Sequence, residues 1–172
     1  MRKYNTKSQK IAFGGVIALL SSVSLYISSI LPTNRLLFFA LSTFFLAAII
    51  MENDIKLAVL VYLSSSILSF ILIPNKAVVL PYFIFFGYYA IVKSLIERIN
   101  KIIIEMLLKL LLFNLSTYIT YTVVSRALLG DIIIKLPVWV IFLLMQLGFI
   151  IYDYAFSIAV YFYKNKIRPK IR

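Results

Sequence analysis

Long apolar runs, parted by short charged or proline-bearing breaks, make up most of the chain. The first run, Ile11 to Leu31, holds 21 residues without a charge. As a helix rising about 1.5 Å per residue, it is long enough to cross a hydrocarbon core about 30 Å thick. It stops at Leu31-Pro32-Thr33-Asn34-Arg35, a polar turn with a helix-ending proline. Further runs cover 36–51, 57–73, 77–96, 102–124 and 136–163, with breaks such as Glu52-Asn53-Asp54-Ile55-Lys56 and Pro74-Asn75-Lys76 between them. The second and third are a little short, so snorkelling flanks are expected rather than tilt, and the last is long enough to tilt. Lys93, Glu97 and Lys101, four residues apart, carry the fourth helix on into the interface. The pattern predicts an all-α polytopic membrane protein of six transmembrane helices, a single integral membrane domain over residues 1–172.

Composition supports that class and narrows the chemistry. Apolar residues make up 63% of the chain, against about 45–50% in soluble domains. One aqueous core could not hide that much apolar surface. The chain has no cysteine, so disulfides and thiolate metal sites are excluded, and no histidine, the usual general base and commonest metal ligand. Gly14-Gly15 lies inside a span with no Lys-Ser/Thr after it, so it is not a nucleotide loop. Neither an enzyme, a metal site nor a cofactor is expected.

The net charge of +12 would suggest nucleic acid in a soluble protein. Here the basic residues cluster at the ends of the spans, and no nucleic-acid partner is expected. With both termini inside, the inner segments carry thirteen Lys or Arg and the outer ones four (Arg35, Lys76, Arg126 and Lys135). That bias predicts cytoplasmic N and C termini. The first run lacks an Ala-x-Ala-like cleavage site, so it is expected to stay as a span. Enrichment in Ile, Lys, Tyr and Phe points to a bacterial source, and the expected location is the plasma membrane as a multi-pass protein.

Polar groups inside spans are costly, so each is a candidate for function. Asn114, Tyr118 and Tyr121 share one helical face, and Trp139, Phe142 and Gln146 form a second stripe. Together they could line a small-molecule pocket open to the exterior. Alternatively, Asn114 and Gln146 hydrogen-bond between helices while the tyrosines and Trp139 form an interfacial belt. Glu105, Lys109 and Asp153 lie deeper. Glu105 and Lys109 are four apart and can pair directly. Asp153 is expected to pair with Lys109 or to be reached by water, in which case exchanging the two charges should restore folding lost in each single variant. Finally, Gly14, Ala18 and Ser22 stand four apart, with Gly15 and Ser21 beside them, leaving a nearly bare stripe on which another helix can pack closely.

Six spans, a basic tail, no soluble domain and the small-x-x-x-small pair Gly14 and Ala18 in the first span resemble the substrate-binding S component of energy-coupling factor (ECF) transporters. The resemblance implies a membrane subunit that captures a vitamin-like micronutrient from outside. Such a subunit docks on a transmembrane coupling subunit driven by two cytoplasmic ATPases. It places the pocket in the outer parts of the later spans, closed by the loop after the first. On this chain those regions are Pro32 to Arg35, Asn75 to Tyr82, Asn114 to Tyr121 and Trp139 to Gln146. The expected substrate-binding residues are therefore Arg35, Asn114, Tyr118, Tyr121, Trp139 and Gln146, with Gly14, Ala18 and Ser22 as docking surface. A competing expectation is a non-transporting membrane scaffold, similar to the small rod-shape subunits of the bacterial wall machinery. Burial of the glycine-bearing edge among the chain's own helices would take the transporter assignment down with it.

Overall fold

A computed structural model of the chain describes residues 7–52, 54–124 and 137–167. Helix α1 covers Lys7–Ile30, α2 Arg35–Met51 and α3 Ile55–Leu72. A fourth span, Lys76–Ile99, is composite: α4 (Lys76–Pro81), a π-helical turn (Tyr82–Phe86), α5 (Gly87–Ile96) and a closing 3-10 turn (Glu97–Ile99). Helices α6 (Ile102–Val124) and α7 (Val138–Phe162) complete the set, and a second π-helical turn (Tyr163–Ile167) extends the last. Six helices are thus long and apolar enough to cross a membrane, and no strand occurs among the described residues. The polar connection from Ser125 to Lys135, with Arg126, lies outside the described residues, as do Arg2, Lys3 and the tail beyond Ile167.

Local chemistry sets the helix ends. Pro32 disfavours helical backbone in the residue before it, and Leu31 sits at φ −107°, ψ 87°. Asp54 caps α3 by accepting from the Leu57 N–H at 3.1 Å, and it also receives Lys10 Nζ at 2.7 Å. That ion pair holds the start of α1 against the turn between α2 and α3. Lys76 donates to Ile73 O at 2.9 Å and to Phe70 O, satisfying carbonyls left open at the end of α3. Asn100, in the left-handed region at φ 55°, ends the fourth span.

The bundle has two kinds of interior. Helix α1 packs chiefly on α2 and α3, where the core is aliphatic and small: Ile17, Ala18, Leu46, Ile49, Ala58, Val61 and Ile91. Buried serines line the same region, with Ser21, Ser22, Ser42, Ser65, Ser66 and Ser69 almost without exposure. Small side chains let these backbones approach closely. Helices α6 and α7 instead lie against the fourth span through rings: Phe85, Tyr89, Phe113, Phe149, Tyr152 and Phe156. Most other large side chains on α6 and α7 are exposed. The fourth span therefore joins a tight, small-residue half to an aromatic half.

Its π-helical turn sits at that junction. Pro81 has no N–H to give, and the Gly87 N–H reaches back five residues to Tyr82 O. Neighbouring helices serve the freed backbone. The Tyr62 hydroxyl donates to Phe83 O and Thr43 Oγ1 donates to Phe86 O, each at 2.8 Å.

Candidate functional site

Tyr89, Lys93 and Glu97 follow at four-residue steps along the inner face of the fourth span, with α6 and α7 packed alongside. Asp153 on α7 is the centre of the group. Its Oδ1 accepts from the Tyr89 hydroxyl at 2.5 Å and from Lys93 Nζ, and its Oδ2 lies 3.3 Å from Lys109 Nζ on α6. Glu97 Oε1 accepts from both ammonium groups, at 2.9 Å from Lys93 and 2.8 Å from Lys109. Lys93 also reaches Ser157 Oγ at 2.9 Å. Two cations and two carboxylates thus form a neutral tetrad that ties three spans together. Because an unpaired charge is so costly in low dielectric, mutual neutralisation is what makes this burial tolerable.

A second polar layer follows farther along the same seam. The Tyr88 and Ser116 hydroxyls stand 3.0 Å apart. Gln146 Nε2 donates to Asn114 Oδ1 at 2.5 Å, and Asn114 Nδ2 donates to Leu110 O within its own helix. The stacked rings of Phe113 and Phe149, 4.6 Å between centroids, also bridge α6 and α7. The resulting seam runs from a charged cluster to a neutral amide pair, with hydroxyls and rings in the intervening positions.

Not every expected site residue joins the seam. Tyr118, Tyr121 and Trp139 are 67%, 50% and 67% exposed and share none of its hydrogen bonds among the described residues. Arg35, at the start of α2, has a buried Nε without a hydrogen-bond partner among the described residues. No hydrogen bond or ion pair joins Arg35 to Asn114 or Gln146 among the described residues. Glu105 forms no ion pair among the described residues either, so the direct Glu105–Lys109 pairing gives way to Lys109 with Glu97 and Asp153. The physical reason is that Lys109 meets two carboxylates from neighbouring helices, Glu97 and Asp153, within ion-pair distance. Lys93, Glu97, Tyr89 and Ser157 were not anticipated as site residues. The available signal was the spacing of Tyr89, Lys93 and Glu97, together with Asp153 and Ser157 four apart on the facing helix.

The small stripe of α1 needs a correction of its own. Gly14, Ala18 and Ser22 are buried within the chain. A Cβ built on Gly14 would lie 3.0 Å from Leu57 Cδ1 and 3.2 Å from Val61 Cγ2, both on α3. The Ser22 hydroxyl donates to Ala18 O at 2.9 Å and faces Ser65 O at 3.5 Å. The stripe supports close packing, but its occupant is α3. Gly15 is the glycine of α1 that faces open space. Comparison with protein-family models, curated proteins and solved structures returns no match.

Proposed function

We propose that the chain is a membrane-embedded subunit that captures a small solute for an uptake system of the ECF type, both termini cytoplasmic. The polar seam of Asn114, Gln146, Tyr88 and Ser116 inside apolar helices supports this reading, while the Gln146–Asn114 hydrogen bond itself is what the helix-joining alternative expects. A pair of amides away from either helix end is an adaptable donor–acceptor surface in apolar surroundings, the make-up of a small-molecule site. Tyr88 and Ser116 extend that surface along the seam. Burial of Gly14, Ala18 and Ser22 against α3 counts against the ECF-type part of the proposal as a whole, and solute capture is what the polar seam still supports. A coupling subunit would have to meet the exposed face of α1 around Gly15.

The scaffold reading stays in competition because of two observations: the tetrad is self-neutralised and the small stripe is spent internally. Mass spectrometry of small molecules retained by the detergent-purified chain separates the two. Under the uptake reading a compound co-purifies with the native protein and is lost from the Asn114→Leu/Gln146→Leu variant, while the folded fraction is unchanged. An empty native protein, with the variant equally functional in its host, would favour the scaffold.

A further inference from the structure

Lys93 and Lys109 come from different spans, yet both ammonium groups converge on one oxygen, Glu97 Oε1. Two cations focused on a single point make an anion site, and the oxygen of Glu97 marks where an anion's oxygen sits. The two lysine side chains are only 5% and 9% exposed, whereas Glu97 is 42% exposed. The cations are therefore fixed inside, and the anion enters from the edge.

The two carboxylates of the tetrad differ in how firmly they are held. Asp153 lies within α7 and is bound by Tyr89, Lys93 and Lys109. Glu97 instead opens the short 3-10 turn that ends at left-handed Asn100. Turning its side chain outward breaks two ion pairs but unwinds none of α5. What remains is Lys93, Lys109 and Asp153, a net positive group, with exposed Arg98 and Lys101 close by in the sequence. A free phosphate has more charge and more acceptor oxygens than a carboxylate and suits that field better than Glu97 does, whereas a phosphodiester headgroup matches Glu97 in charge and gains once Glu97 no longer competes.

We infer that Lys93 and Lys109 form a phosphate-binding site at this end of the bundle, which Glu97 occupies as a built-in, exchangeable counter-ion. The phosphate belongs either to an anionic lipid headgroup, which basic pockets between spans can take, or to a free phosphate in solution. Long lysine stems let the ammonium groups sit nearer the helix ends than their own Cα atoms. The inference does not depend on the uptake reading.

The test uses the full chain in nanodiscs of phosphatidylcholine, comparing native protein with Glu97→Gln, which keeps the size of the side chain and removes its charge. The variant should bind inorganic phosphate or phosphatidylglycerol at least about tenfold more tightly than the native chain, since both charge-assisted contacts to Glu97 are weakened. Adding Lys109→Met should abolish the gain. A response to phosphatidylglycerol alone assigns the lipid headgroup, and a response to inorganic phosphate assigns the free anion. No gain with either probe, an equal gain with chloride, or a gain that survives Lys109→Met would overturn the site. Native mass spectrometry of bound phosphatidylglycerol, read on the native chain and on Lys93→Met, supplies a measurement that does not depend on how well the Glu97 variant folds. Equal lipid occupancy in the two would also count against it.

Discussion

Leu57 Cδ1 occupies the space that any side chain at position 14 would need: a Cβ on Gly14 would stand 3.0 Å from it. Val61 Cγ2, at 3.2 Å, closes the same space from the next turn of α3. Gly14→Leu should therefore overpack the α1–α3 contact and cost about 1–3 kcal/mol. Gly15→Leu meets open space and should leave stability unchanged. Thermal unfolding of the two variants in one detergent checks both. It also decides how docking can be probed, since lost association in a Gly14 variant would report misfolding, while Gly15→Trp reports the surface.

The tetrad predicts an uneven response to charge removal. Asp153→Asn leaves Lys93 and Lys109 with one carboxylate between them, and breaking a buried pair in this way should cost about 3–5 kcal/mol. Lys93→Met/Asp153→Leu removes one charge of each sign and leaves the Lys109–Glu97 pair intact. Most of the lost stability should return in that double variant, read as a coupling energy in a double-mutant cycle. Exchanging the charges of Lys109 and Asp153 should not restore it. A lysine at 153 would face Lys93, and an aspartate at 109 would face Glu97. Recovery in the exchanged variant would mean that the two ion pairs act independently.

These two cases show what a linear pattern conveys. The six helices were legible because water excludes long uncharged runs whatever their neighbours are, and the described helix ends fall within a few residues of the charged and proline breaks. The stripe of Gly14, Ala18 and Ser22 announced a close helix contact without saying whose helix fills it, since small residues look the same toward α3 as toward another chain. Glu97 was placed on a surface ladder with Lys93 and Lys101 because four-residue spacing defines a face but not its direction. Only the packing of α6 and α7 turns that face inward. Pro81 and Gly87 interrupt the fourth run, yet the backbone that the π-helical turn frees is served by Tyr62 and Thr43 from other helices.

Gly87 yields a sharper test of that turn. A Cβ there would lie 2.5 Å from Tyr62 Cε2 and 2.9 Å from the backbone oxygen of Tyr82. Gly87→Ala should destabilise the bundle by about 1–3 kcal/mol, since a ring and a carbonyl must both move. Pairing it with Tyr62→Leu relieves the ring contact but leaves the Tyr82 carbonyl in place and removes the donor to Phe83 O. Partial recovery at most is expected in thermal unfolding. Full recovery would show that the turn itself does not need glycine.

Asp54 separates a helix cap from an ion pair at the turn between α2 and α3. The hydrogen bond from Lys10, helped by the Leu57 N–H, holds its carboxyl below the ordinary carboxylate range. A group lowered in this way stabilises the fold in its charged form. Its contribution is complete above the unfolded value of about 3.9 and is lost as pH falls through the lower folded value. Asp54→Asn keeps an acceptor for the Leu57 N–H and loses the charge. Because Lys10 is 43% exposed, the loss at neutral pH should stay under about 1 kcal/mol. Asp54→Ala loses the cap as well, for about 1 kcal/mol more. Unfolding midpoints should therefore fall in the order native, Asn, Ala at pH 7. The gap between native and Asn should close at acid pH, where Asp54 is protonated, while the gap between Asn and Ala persists. A native-to-Asn gap that does not change with pH would assign the effect to the hydrogen-bonded cap rather than to the charge.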